Sequence, residues 1–176
     1  CNVTEEAGCL RLARDKVPLP PPGEREALFE TINRFVHEDI TIRLVPDKGL
    51  FGVLVMTGDV APEVTDTNPM VDGLWLPEPE AMAGTGETGR KTAAALRAYL
   101  TFAYRTLRVH PLNVERQKQG LPAVNALVTQ RAGMARPLAP FATRFGLRPL
   151  CIASGTLFAG LAMALGFDRL PVTDTD

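Results

Sequence analysis

Residues 39–56 read DITIRLVPDKGLFGVLVM. The first part, DITIRLVP, alternates polar and apolar residues, which marks a strand with one face buried. PDKG at 46–49 supplies turn residues. The run LFGVLVM that follows is apolar without a break, which suits a central strand paired on both sides. The spacing therefore predicts a β-hairpin, and whatever lies around it must cover a sheet.

On the N-terminal side, CNVT reads as a short strand and VPLPPPGE (17–24) as a proline-rich connection. A helix is expected from about Glu24, with Leu28, Ile32 and Phe35/Val36 as its apolar stripe and acidic residues in its first turn. Residues 58–90 lack periodicity and are rich in Gly and Pro, so they predict a long, flexible loop. GTGETGRK within it departs from GxxxxGK[ST] and follows no strand; it reads as a helix lead-in rather than a phosphate cradle. A long helix follows over 88–107, with Leu96, Leu100, Ala103/Tyr104 and Leu107 inward. HPLN breaks it, and VERQKQG forms a short helical turn closed by Gly120. NALVTQ (125–130) is strand-like, 137–146 a short helix ended by glycine, 148–154 a strand, 155–165 a helix, and 168–172 a last short segment. A hairpin mixed with helical crossovers predicts an α+β fold: a two-layer sandwich with one mixed sheet and helices mainly on one face, a variant of the ferredoxin-like plait.

Composition narrows function. The chain has 176 residues, 45% of them hydrophobic, enough for a core in a single domain over 1–176. Its 19 basic and 20 acidic residues leave a net charge of −1, which argues against a nucleic-acid partner. No apolar run is long enough to span a membrane; the most apolar window, 151–167, is broken by three glycines. Three cysteines without CxxC spacing and two histidines support neither a disulfide framework nor a metal centre built from this chain, and they predict a reducing, cytoplasmic compartment. No signal peptide is visible, and the ends, CNVT and TDTD, read as those of a piece of a longer protein.

Chemistry concentrates in HPLNVERQKQGLPAVNALVTQRAGM, residues 110–134. Arg131 stands just after the predicted strand, and Gly133 beside it permits close backbone approach. A guanidinium there could grip a carboxylate or phosphate with its fork. His110, Asn113 and Arg116 are spaced three apart and share a helical face. The same residues also suit a structural corner, with His110 and Asn113 capping backbone groups and Arg116 paired with Glu115 or a neighbour; such corners are commoner than binding sites. TDTNP (65–69) is a second candidate: Asp66, Thr67 and Asn68 could orient a ligand or form an Asx turn before proline. No nucleophile stands out: there is no GxSxG, and Cys151 falls in a predicted strand. The chain offers grips without catalytic machinery.

In order along the chain, CN, the apolar strand closed by Gly58, VTDTNP, HPLNVERQKQGLPAVN, TQRAG and LCIASGTLFAGLAMALG resemble the archaeal-type cofactor-independent phosphoglycerate mutases, metalloenzymes of the alkaline phosphatase superfamily. The resemblance covers nearly the whole chain. It implies a substrate-binding insertion domain that caps a separate phosphatase-like domain, its partner. That domain would carry two divalent metal ions of the Mn, Zn or Mg type and the serine nucleophile; this chain would bind no cofactor and hold no catalytic residue. It also implies the reaction, interconversion of 3- and 2-phosphoglycerate through a phosphoserine. Arg131 and Arg116 would lie nearest the phosphorylated small-molecule substrate, with Asn125, His110, Asn113 and Asp66 in support. TDTD would begin the return to the catalytic domain. The chain departs from the family pattern where Leu50 and Phe51 replace a His-Arg pair, Thr57 replaces an arginine, and DTNPM, with Asn68 and Met70, replaces DTDPH. These departures leave two alternatives: a cap acting on another phosphate or phosphonate, and a domain kept for folding or partner contact.

Overall fold

The computed structural model describes residues 1–172; the expectation placed on TDTD lies outside the described residues. The chain divides into two compact units, Cys1–Met134 and the segment from Ala135 onward.

In the first unit, β1 (Asn2–Glu6) and β2 (Cys9–Arg14) form an antiparallel hairpin. Helix α1 (Pro22–Thr31) starts with Pro22 at its first position, where the missing N–H costs nothing, and places Glu24 in its first turn. It ends earlier than the stripe predicted. Residues Arg34–His37 form β3 instead, with Phe35 turned inward and Val36 54% exposed. The Phe35/Val36 pair belongs to a strand period of two, not to a helical stripe. Strands β3, β4 (Ile40–Pro46) and β5 (Gly52–Thr57) make an antiparallel sheet in that order. The hairpin is as predicted, but β4 is its centre and β5 an edge. β3 occupies the side of β4 that β5 leaves free.

Helix α2 (Gly86–Arg108) covers one face of this sheet. Ile40, Ile42 and Leu44 of β4 point at Tyr99, Ala103 and Leu107; α1 adds Leu28 and Phe29, and Ile32 follows at its C-cap. Each Leu, Ile or Phe among them contributes roughly 1.5–3 kcal/mol on full burial. Phe35, Tyr99 and Phe102 meet with ring centroids 5.1–6.5 Å apart, and the buried Tyr99 hydroxyl donates to Ile32 O at 3.0 Å. The opposite face, with Val36, Val45, Val53 and Val55, is exposed.

The connection after β5 is irregular, as its Gly and Pro content predicts, yet its backbone is tied down. Residues 73–76 run along β2 through Gly73 N to Leu12 O, Leu12 N to Leu74 O and Leu76 N to Leu10 O, at 2.6–2.8 Å. Thr65 N donates to Glu80 O and Met82 N to Glu63 O, both at 2.9 Å. Helix α3 (Pro111–Lys118) follows α2 almost at once. Beyond Gly120 the chain forms no ladder and has no regular secondary structure as far as residue 140, so the strand expected at 125–130 is absent. It passes beside β1, where the Asn125 side chain takes up the strand's hydrogen bonds.

The second unit holds α4 (Phe141–Phe145), β6 (Leu150–Ala153), α5 (Thr156–Leu165) and β7 (Asp168–Pro171). Pro140 caps α4 and delays its start relative to the expected 137; Gly146 ends it at φ 67°, a conformation glycine tolerates. β6 and β7 pair in parallel across α5, a βαβ unit. The class is α+β. Where one mixed sheet was expected, the described residues form three small ones: two antiparallel and one parallel.

Candidate functional site

The polar segment 110–134 separates into two groups with different surroundings. The first is interior. His110 caps α3, its Nδ1 accepting from Leu112 N at 3.3 Å, with Pro111 locked into the first helical position. Asn113 is fully buried. Its amide nitrogen donates to Leu107 O (2.8 Å) and Val124 O (2.9 Å), and its oxygen accepts from Val124 N (2.8 Å). One side chain thus joins the end of α2, helix α3 and the segment after Gly120. Arg116 is 5% exposed; its Nε donates to Pro122 O (3.2 Å) and its Nη2 to Pro18 O (3.0 Å). The pairing of Arg116 with Glu115 does not occur; Glu115 meets Lys118 and Gln119. Asn125 accepts from Val3 N at 2.9 Å and donates to Val3 O at 3.0 Å, as a partner strand would. Proline carbonyls and strand edges have no backbone donor of their own here, and buried acceptors must find one.

The second group is at the surface. Arg131 is exposed and adopts φ 61°, which is uncommon for a residue with a Cβ. Its backbone N–H donates to Asp66 Oδ1 at 2.8 Å. Among the described residues its guanidinium has no hydrogen-bond or ion-pair partner. Asp66 arrives on the TDTNP turn, where Asn68 Oδ1 accepts from Met70 N at 2.9 Å, the Asx geometry expected before proline. Between Asp66 and Asn68, Thr67 is 2% exposed and binds Thr129 through both hydroxyl and backbone.

The structure therefore brings Asp66 to Arg131, and His110, Asn113, Arg116 and Asn125 to a separate set of joints. The sequence reading did not single out Thr129; its signal was a threonine two residues before Arg131, unreadable without knowing that Thr67 faces it. Trp75 is 51% exposed under the Arg11 guanidinium, 5.9 Å from its ring centroid.

Among the described residues no group of three or more His, Cys, Asp or Glu side chains is placed to hold a metal ion. The described residues do not fit the ions that the resemblance implies. No described helix is long and apolar enough to cross a membrane.

A family model described as 2,3-bisphosphoglycerate-independent phosphoglycerate mutase matches residues 6–113, more than half of the chain. The chain belongs to this phosphoglycerate mutase family. It is 29% identical over 152 residues to 2,3-bisphosphoglycerate-independent phosphoglycerate mutase 1 of Methanocaldococcus jannaschii, covering 86% of this chain and 37% of that one. It is 31% identical over 142 residues to the Methanopyrus kandleri mutase, covering 80% and 33%. The solved cofactor-independent phosphoglycerate mutase from Thermoplasma acidophilum matches with TM-score 0.60 and 26% identity, over 92% of this chain and 45% of that one. The chain spans about a third of the length of these curated mutases.

Proposed function

We propose that this chain is the substrate-facing insertion domain of a cytoplasmic mutase-like metalloenzyme that interconverts 3- and 2-phosphoglycerate, with the phosphoserine and the metal ions on a separate phosphatase-like domain. Arg131 carries this reading: an exposed arginine, held by its backbone on a loop and with no partner for its guanidinium among the described residues, is a cation kept for a ligand. Its planar fork suits a phosphate or a carboxylate, and the substrate has both. The family membership and the span of about a third of the relatives' length support a division of labour between domains. A phosphoserine must be screened from water, or transfer becomes hydrolysis; a cap that brings an arginine over the site screens it and holds the released glycerate while it turns. In this reading Asn113, Arg116, Asn125 and His110 keep the cap's shape rather than touch the substrate.

A second reading, a cap for another phosphate or phosphonate, is favoured by the exposed Phe51 (67%) and Met70 (65%), which stand where the family pattern has charged or imidazole side chains. The experiment is conversion of 3- to 2-phosphoglycerate by the full-length protein that carries this chain, supplied with Mn²⁺. Turnover that falls about a hundredfold in kcat/KM in Arg131→Ala supports the first reading. Inertness toward phosphoglycerate with phosphate release from other esters supports the second, and inertness toward both contradicts each.

A further inference from the structure

Two segments more than sixty residues apart in sequence are fastened together beside Arg131. Thr67 N donates to Thr129 O at 2.8 Å, and Asn68 N to the same oxygen at 3.3 Å. Thr129 N donates to Thr67 Oγ1 at 2.8 Å, and the two hydroxyls lie 3.0 Å apart. Arg131 N closes the series on Asp66 Oδ1 at 2.8 Å. None of these bonds belongs to a sheet ladder. The fixed point is the buried Thr67; outward from it the set becomes exposed, and it ends on Asp66 and Arg131.

The last bond has a specific consequence. At φ 61° a Cβ crowds its own backbone, so Arg131 left to itself would return to negative φ and swing its guanidinium elsewhere. The Asp66 carboxylate offsets that penalty by accepting the Arg131 amide, a charge-assisted bond. A carboxylate directed at a phosphorylated acid would repel it, whereas one engaged with the neighbouring amide has a role that does not involve the ligand. We infer that Asp66, with the Thr67–Thr129 pair behind it, is a positioning residue: it holds the Arg131 backbone in the left-handed conformation that presents the guanidinium, and it does not itself contact substrate. The inference rests on the reading of Arg131 as the substrate grip.

The test uses the full-length protein with Mn²⁺ and 3-phosphoglycerate as the probe, reading KM, kcat and thermal midpoint for Asp66→Ala, Asp66→Asn, Arg131→Ala and the double Asp66→Ala/Arg131→Ala variant. Asparagine keeps an acceptor oxygen and removes the charge. Asp66→Ala is expected to raise KM about tenfold with kcat and the thermal midpoint nearly unchanged, the weight of one hydrogen bond to a charged group. Asp66→Asn is expected to stay within about twofold of wild type, and Asp66→Ala to add nothing once Arg131 is gone. Exchange of the Arg131 amide is expected to quicken in Asp66→Ala and not in Asp66→Asn. If Asp66→Asn is as damaging as Asp66→Ala, or the two effects add in full, Asp66 acts on its own and the positioning role is wrong while the Arg131 reading stands. If Arg131→Ala changes neither KM nor kcat, the Arg131 reading fails and the positioning role falls with it.

Discussion

Asn113 and Asn125 look in sequence like Arg131's companions, and their surroundings separate them from it. A buried amide with two backbone carbonyls and one backbone N–H in reach is satisfied by the fold and has nothing left for a ligand. Removing it strands both backbone groups of the buried Val124, while Leu107 O keeps the His110 and Val109 amides, so Asn113→Ala is expected to lower stability by about 2–4 kcal/mol in urea unfolding. Tyr99 shows the same economy with a phenol. Burial pushes its pKa up, so the fold favours the neutral hydroxyl that donates to Ile32 O. With the folded value above the unfolded one, that stabilisation is complete below the unfolded value of about 10 and fades as pH rises past it. Urea unfolding between pH 8 and 11 is expected to show a steeper alkaline loss for wild type than for Tyr99→Phe. The corner role of His110 and Asn113 was legible from residue type. The partners of Arg116 and Asn125 were not, because Pro18 and Val3 lie 98 and 122 residues away in the chain.

At the scale of elements, alternation and glycine placement carried most of the reading. DITIRLVP declared β4 through Ile40, Ile42 and Leu44, all buried, against the exposed Arg43 and Val45. The long helix was legible from its stripe, and α4 from the glycine that closes it. β3 was hidden because Phe35 and Val36 stand three and four residues after Ile32, a helical spacing, whereas a strand turns such adjacent residues to opposite faces. Missing it made β5 look central. β2 was hidden because CLRLAR is read as easily as a solvated face. The strand expected at 125–130 failed for another reason: the segment meets its neighbours through scattered backbone bonds and the side chains of Asn125 and Thr67, without a ladder. Gly58 closes β5 at φ 126°, and a Cβ there would meet Asp39 O at 2.6 Å, in the turn between β3 and β4. Gly58→Ala combines forbidden backbone with a contact against a carbonyl, and it is expected to cost about 2 kcal/mol or more in chemical denaturation. A loss below about 0.5 kcal/mol would mean that the turn gives way easily.

Over the whole molecule, the chain resolves into two units, and the candidate site lies within the first. Both clusters that pack α1 and α2 against β4 are complete before Met134. A segment of residues 1–134 is therefore expected to unfold cooperatively by circular dichroism, where a broad transition would show that this core needs more of the chain. The resemblance to cofactor-independent phosphoglycerate mutases, carried by HPLN, TQRAG and VTDTNP, anticipated the family. It placed six residues in one substrate wall, and the fold divides them between the joints made by His110, Asn113, Arg116 and Asn125 and the exposed pair Asp66 and Arg131. One crossed comparison on the full-length protein tests that division: thermal midpoint and 3-phosphoglycerate turnover for Asn113→Ala and Arg131→Ala. The account predicts that Asn113→Ala melts several degrees lower yet turns over nearly normally per folded molecule at low temperature, while Arg131→Ala melts like wild type and loses about a hundredfold in kcat/KM. The reverse pattern, a cold-active Arg131→Ala beside a stable but inert Asn113→Ala, would contradict it.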